Sequence, residues 1–280
     1  MQYPLPSPPT PLPPAGEESC LHGLGVLVTR PAHQADSLCR IIEHYGGVAI
    51  RCPALLIREP QDWTPALAIF DRLADCDWAI FTSANAVDRA LPWIRERGGF
   101  PPRLEIAAIG KATAQALAGH GVAHCLQPET RFNSEALLAL PRLQNVAGQT
   151  VVIVRGEGGR GLLAETLTAR GATVAYAEVY RRERPTMDVS ALLERWQHGE
   201  IDAVVVASSE TLLNLFDMLG IAGQDDLRKT PIIAVSAGIL PIAAQLGCHS
   251  LRLAQAASNA AIAAALLELA ANLSPLGNSP

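Results

Sequence analysis

Short apolar runs alternate with longer amphipathic stretches along almost the whole chain. The runs at 25–29, 48–52, 78–82, 105–109, 122–126, 150–154, 173–177, 202–207, 231–235 and 250–254 read as strands. They keep no polar face, which is the pattern of parallel strands covered on both sides. The amphipathic stretches at 33–45, 64–74, 84–96, 111–119, 133–140, 160–170, 188–197, 209–219, 238–246 and 258–271 read as helices. Gly46-Gly47, Gly98-Gly99, Gly121, Gly171, Gly220 and Gly247 stand where those helices should stop. Strand–helix alternation of this kind predicts an α/β fold with helices on both faces of parallel sheets. Segments 55–59 and 178–182 follow strands without a turn signal. They read either as two extended pieces that pair as a connector or as long strand ends.

The pattern repeats. Asp77-Trp78-Ala79-Ile80-Phe81-Thr82-Ser83 is echoed by Asp202-Ala203-Val204-Val205-Val206-Ala207-Ser208. Gly25-Val26-Leu27-Val28-Thr29-Arg30 is echoed by Thr150-Val151-Val152-Ile153-Val154-Arg155, and Ile106-Ala107-Ala108-Ile109-Gly110 by Ile232-Ile233-Ala234-Val235-Ser236. Three landmarks in one order at a shared offset point to a duplicated α/β unit of domain size. Two such units imply a cleft between them, and small ligands favour such clefts.

Composition narrows the function classes. A chain of 280 residues with 49% hydrophobic and 18% charged residues can bury a core in each of two domains. The net charge of −5 argues against general binding to nucleic acid or to an anionic membrane, while allowing a local basic site. No run is apolar and long enough for a spanning helix. Residues 1–21 are rich in proline and lack the basic start and apolar core of a signal peptide, so they read as a disordered tail. A polyproline segment that docks another protein is the alternative there. Residues 272–280 read as a second disordered tail. The six cysteines form no CxxC and suit reduced thiols in a cytoplasmic protein. No His/Cys grouping has metal-ligand spacing.

Ligands of parallel sheets sit at the carboxyl ends of strands, where helix N-termini point. The residues there are Thr29-Arg30-Pro31, Thr82-Ser83-Ala84-Asn85, Gly110-Lys111-Ala112-Thr113, Arg155-Gly156-Glu157-Gly158-Gly159-Arg160, Ser208-Ser209 and Ser236-Ala237-Gly238. Hydroxyls, small residues and a few cations suit an anionic ligand. Ser83, Ser208 and Asn133/Ser134 also read as helix N-caps. The segment from Gly156 to Gly161 is neither a P-loop nor GxGxxG. There is no nucleophile elbow, no HExxH and no acid/base carboxylate pair. Such a site would bind and fold an anionic substrate more than attack it.

Val26-Leu27-Val28-Thr29-Arg30-Pro31 and Ile80-Phe81-Thr82-Ser83-Ala84-Asn85-Ala86-Val87 resemble the uroporphyrinogen-III synthase family. So do Ala108-Ile109-Gly110-Lys111-Ala112-Thr113-Ala114, Phe132-Asn133-Ser134-Glu135, Val154-Arg155-Gly156-Glu157-Gly158-Gly159-Arg160, and Gly171-Ala172 leading to Val179-Tyr180-Arg181-Arg182. The resemblance runs over residues 24–270. It implies an enzyme, a lyase that closes hydroxymethylbilane, a linear tetrapyrrole with eight carboxylates, to uroporphyrinogen III with inversion of ring D and loss of water. It implies no cofactor and no metal; apart from the substrate no partner is expected, and the chain is read as a monomer. The implied fold has two flavodoxin-like parallel-sheet domains from a duplicated unit, joined by a two-stranded β connector. One domain would take 22–53 plus 185–271, the other 61–177, with 54–60 and 178–184 as the connector. Tyr180 would be the catalytic residue that helps the terminal hydroxyl leave. Arg30, Thr82, Ser83, Lys111, Thr113, Arg155, Arg160, Ser208, Ser209 and Ser236 would contact substrate. Gly161 and Gly238 depart from the family pattern, which often carries Glu and Arg there.

A second reading keeps the fold but not the reaction: a two-lobed, non-catalytic binding protein for a small anion. A receiver-like regulator is excluded by the lack of an acidic cluster at the strand ends; Glu157 alone would not hold Mg²⁺.

Overall fold

The structure, a computed structural model, describes residues 20–130 and 132–273. The bulk of both predicted tails therefore lies outside the described residues. The chain opens with β1 (Gly25–Val28), α1 (Ala32–His44) and β2 (Val48–Arg51). It continues through β3 (Leu56–Arg58), α2 (Thr64–Phe70), β4 (Trp78–Phe81), α3 (Ala84–Glu96), β5 (Glu105–Ala108), α4 (Lys111–Gly119), α5 (Ser134–Leu138), α6 (Pro141–Gln144), β6 (Thr150–Gly156), α7 (Leu162–Ala169) and β7 (Thr173–Glu183). It closes with α8 (Ser190–Gln197), β8 (Ala203–Val206), α9 (Ser209–Lys229), β9 (Ile232–Ala234), α10 (Ile239–Gln245), β10 (Leu251–Leu253) and α11 (Asn259–Leu273).

These elements form two units. One takes the chain up to Leu56 and from Glu183 onward; the other is Ile57–Arg182. The first holds a sheet in the order β10-β9-β8-β1-β2, the second a sheet in the order β3-β7-β6-β4-β5. In the first sheet β1 runs parallel to β2 and β8, and β9 to β8 and β10. In the second, β6 runs parallel to β4 and β7, and β4 to β5. Segment 178–182 is the continuation of the single eleven-residue strand β7, and β3 is its neighbour at the sheet edge.

The apolar runs have a direct physical cause. Val26, Val28, Ala203, Val205 and Ile233 pack on one face of the first sheet with α1 and α11. Leu27, Val204, Val206, Ile232 and Ala234 pack on the other face with α8, α9 and α10. The second sheet divides likewise, with Ala79, Phe81, Val152 and Val154 on one side and Trp78, Ile80, Val151 and Ile153 on the other. Alternate side chains thus enter different cores, and neither can be polar.

Several expected elements change. Residues 122–126 do not make a strand; a single bridge joins Leu126 to Ala107. Helical structure resumes after Gly220, which interrupts α9 with φ 59° and ψ −171°, a left-handed backbone that favours glycine. Leu21, assigned to the amino-terminal tail from composition, is 2% exposed and packs in the first core, and its amide donates to the Tyr45 carbonyl at 2.7 Å. At the other end α11 extends to Leu273, into the segment read as a tail. Among the described residues no helix is long and apolar enough to cross a membrane.

Candidate active site

A cavity of about 390 Å³ opens at the carboxyl ends of β4, β5 and β6 in the second unit. Thr82 and Ser83 follow β4, Arg155 and Gly156 end β6, Gly159 and Arg160 belong to the turn before α7, and Tyr176, Tyr180 and Arg182 come from β7; all line it.

The second sheet gives Tyr180 its place. The β6–β7 register shifts between Arg155 and Gly156, so that Arg155 lies opposite Glu178 and Gly156 opposite Tyr180. The Tyr180 ring then lies against bare backbone. A methyl group on Gly156 would fall 2.6 Å from Tyr180 Cε2 and Cζ, and 3.0 Å from its hydroxyl. Tyr180 is 5% exposed, and its hydroxyl lies 3.1 Å from Ser83 Oγ. Ser83 begins α3 in extended backbone, and its Oγ accepts the Ala86 N–H at 3.1 Å. The cap reading of Ser83 is therefore met, and the same oxygen also reaches Tyr180. Thr82 is turned back on the sheet, its hydroxyl donating to the Val154 carbonyl at 3.3 Å.

Arg155 is a buried cation. It is 6% exposed; its Nε donates to the Gly156 carbonyl at 3.0 Å and its Nη1 to the Arg160 carbonyl at 3.3 Å. The guanidinium lies 4.6 Å above the Tyr176 ring centre, with Glu178 at 3.7 Å. It thus braces the turn that carries Arg160, and any side chain at Gly159 would strike it. Arg160 is exposed at the rim. Among the described residues that line it, Arg155, Arg160 and Arg182 stand against Glu135, an excess that suits a polyanion.

The remaining predicted residues divide. Lys111 is exposed at the start of α4 but does not line the cavity. Thr113 is 3% exposed, turned inward beside Ala114, and like Lys111 does not line the cavity. Arg30, Ser208, Ser209 and Ser236 belong to the first unit. Arg30 Nη1 donates to Asn259 Oδ1 at 2.7 Å, and burial holds its guanidinium below its ordinary pKa. Ser208 caps α9 through the Thr211 N–H at 3.1 Å. Ser209 Oγ donates to the Gly238 carbonyl at 3.5 Å, and Ser236 is exposed beside that glycine. Asn133 caps α5 through the Ala136 N–H at 2.9 Å and also lines the cavity.

Sequence reasoning missed Tyr176, Phe132, Glu135 and Arg182 as cavity residues. Phe132 and Glu135 sat in a motif already noted, and Phe132 is 50% exposed although apolar. Its Cβ would lie 2.9 Å from a side chain at Gly110, so a glycine there lets the ring approach. Tyr176 had no signal, because its place follows from β6–β7 pairing.

Comparison with known proteins bears on this site. The family model described as HEM4, uroporphyrinogen-III synthase HemD, matches residues 36–264. The uroporphyrinogen-III synthase of Escherichia coli (strain K12) is 36% identical over 248 residues, which is 87% of this chain and 100% of that protein. That of Salmonella typhimurium (strain LT2) is 34% identical with the same coverage. Among solved structures, a mutant uroporphyrinogen III synthase from the extremely thermophilic bacterium Thermus thermophilus superposes with a TM-score of 0.61 at 16% identity, covering 89% of this chain and 99% of that one. Uroporphyrinogen-III synthetase from Helicobacter pylori 26695 gives 0.55 at 14% identity with the same coverage. At these identities the solved structures speak for the fold alone.

Proposed function

The chain belongs to the uroporphyrinogen-III synthase family, and we propose that the cavity around Tyr180 is where it performs that family's reaction. The enzyme is a lyase of tetrapyrrole biosynthesis. It closes hydroxymethylbilane to uroporphyrinogen III with inversion of ring D and loss of water.

The observation that carries the assignment of the site is the arrangement at the β4 and β6 ends, a buried phenol beside an excess of guanidinium groups. Arg160 and Arg182 meet substrate carboxylates at the rim. Arg155 works from below, holding the turn and adding positive potential. Thr82 and Ser83 bound the floor. The Tyr180 hydroxyl donates a hydrogen bond to the terminal hydroxyl of the bilane. The pyrrole nitrogen supplies the electron pair that expels that hydroxyl, so a weak acid suffices. The C–O bond breaks, the departing hydroxide takes up a proton and leaves as water, the pyrrole nitrogen gives up its N–H proton in exchange, and a neutral azafulvene remains. Ring closure through a spiro intermediate then depends on how the chain is held, which is work for positioning groups rather than for a nucleophile. Arg30, Ser208, Ser209 and Ser236 are the strand-end candidates of the first unit for the remaining carboxylates, and Lys111 is a further candidate in the second.

We also infer that the fold arose by duplication of a flavodoxin-like unit, with domains 22–53 plus 185–271 and 61–177 and a two-stranded connector at 54–60 and 178–184. The sequence echoes support this, as does the adjacency of β3 and β7. The six free cysteines support a reducing, cytoplasmic setting, where we place the enzyme as a monomer.

The test is to supply freshly made hydroxymethylbilane and to resolve isomers I and III. Isomer III in excess over the spontaneous background is expected. Stoichiometric retention of a tetrapyrrole without turnover would instead make the protein a binder.

A further inference from the structure

We propose that Ser83 is a positioning residue that directs the Tyr180 proton into the cavity, a role that rests on the reaction assigned above. The cap of α3 fixes one side of the Ser83 hydroxyl. Its oxygen accepts the Ala86 N–H at 3.1 Å, at the positive end of a thirteen-residue helix. A hydroxyl that accepts from an amide has its own O–H polarised and becomes a better donor. The acceptor within reach is Tyr180 Oη at 3.1 Å, where either oxygen can hold the shared proton. If Tyr180 donated to Ser83, its phenol would face the substrate with lone pairs only and could not assist a departing hydroxyl. If Ser83 donates, three donors point the same way: Ala86 N–H to Ser83, Ser83 O–H to Tyr180, and Tyr180 O–H to the leaving oxygen. The bilane hydroxyl, as it takes on negative charge, selects that polarity. No covalent bond to either residue forms.

The geometry around the pair holds it in one arrangement. Gly156 lets the ring sit on the β6 backbone, and Tyr180 has little room to rotate away from Ser83. Ser83 itself sits at φ −163° and ψ 161°, extended backbone that Gly and Thr adopt equally.

The experiment is a double-mutant cycle with single-turnover kinetics on hydroxymethylbilane and separated isomers. Ser83→Gly leaves a nearly equivalent cap but removes the hydroxyl. It is expected to lower the first-order rate about three- to tenfold, the worth of one hydrogen bond, with KM little changed. Ser83→Thr, which keeps both hydroxyl and cap, is expected to restore the rate. In a Tyr180→Phe background Ser83→Gly should have no further effect. An equal factor in both backgrounds, a change in KM alone, or a wild-type rate in Ser83→Gly would overturn the proposal while leaving the enzyme assignment standing. A wild-type protein that releases only isomer I would overturn both. Thermal unfolding of each variant, expected near that of the wild type, separates loss of the relay from loss of the fold.

Discussion

Asp77 and Asp202 make the same pair of hydrogen bonds in the two units. Asp77 Oδ2 accepts the Thr150 N–H at 2.8 Å, and the Asp77 N–H donates to the Thr150 carbonyl at 2.9 Å. Asp202 Oδ2 accepts the Gly25 N–H at 2.8 Å, and the Asp202 N–H donates to the Gly25 carbonyl at 2.8 Å. Each aspartate precedes one strand and pins the first residue of the neighbouring strand, β6 or β1. The version in the first unit is tighter, since a side chain at position 25 would run into the Glu200 carbonyl.

This difference in burial sets an order of effects. Asp77 is exposed and water can replace its carboxylate, so Asp77→Ala should cost about 0.5–1 kcal/mol. Asp202 is half-buried, and Asp202→Ala should cost about 1–3 kcal/mol because the Gly25 N–H is left less accessible to solvent. Urea unfolding of both variants checks the ranking; equal or reversed costs would refute the burial argument.

Gly156→Ala should act on Tyr180 rather than on substrate. The added methyl would lie 2.6 Å from the ring, so either the ring or the β6 end must move. Overpacking of this kind costs about 1–3 kcal/mol. Turnover should fall about as far as in Tyr180→Phe, with KM affected less. Kinetics paired with denaturation would decide; an Ala variant with normal turnover would mean the ring position is not needed.

Tyr180→Phe should slow turnover by a factor within about 10²–10⁴ at most, the range for a single positioned acid. Folding should be retained, because the ring stays in the buried core that also holds Ala177 and Val179. Isomer III should remain the main enzymatic product, since inversion depends on how the whole chain is held. Wild-type single-turnover rates in the Phe variant would leave Tyr180 as a packing residue.

The two arginines of the turn should separate. Arg160→Ala should raise KM for the bilane, with the loss shrinking as salt rises, because an exposed charge is screened. Arg155→Ala should in addition lower stability, since it removes the stack on Tyr176 and both carbonyl contacts. Arg155→Lys should not rescue it, as an ammonium has no planar fork. Steady-state kinetics at low and high salt test this; no change in binding in either Ala variant would remove both from substrate recognition.

Cys52 predicts a pH dependence of stability. Burial pushes its thiol from an ordinary 9.0 up to about 11. A folded-state value above the unfolded one means the contribution is complete below about pH 9 and is lost as pH rises through 11. The thiol should therefore account for up to about 2–3 kcal/mol of stability lost across that window. Comparing wild type with Cys52→Ala by urea unfolding at pH 8 and above pH 10 measures it. An identical pH slope in the two proteins would show that the thiol is not the cause.

Much of this was written locally. An apolar run with no polar face must be covered on both sides, so the strands from Gly25 to Val28 and from Ala203 to Val206 are legible in the sequence. Ser83, Ser208 and Asn133 announced themselves as caps, because a short polar side chain before an amphipathic stretch has free N–H groups within reach. The placement of Thr82 and Arg155 at strand ends followed from the same alternation, whereas Tyr180 was singled out only by the family resemblance. What pairing and rotation decide was not readable. Residues 122–126 have a strand's composition, yet only Leu126 meets a partner, since the choice is made by residues distant in sequence. Thr113 stood in a promising loop-to-helix motif, but the rotation of α4 about its axis turned it inward. Arg155 was expected to contact substrate and is buried beneath the turn, and Tyr176 gave no signal at all. Both follow from the pairing of β6 with β7, and the one-residue shift just after Arg155 then brings Tyr180 over Gly156. Periodicity fixes which residues are strand or helix over a few neighbours. Register is set by contacts between segments far apart along the chain, and those form only when the sheet closes.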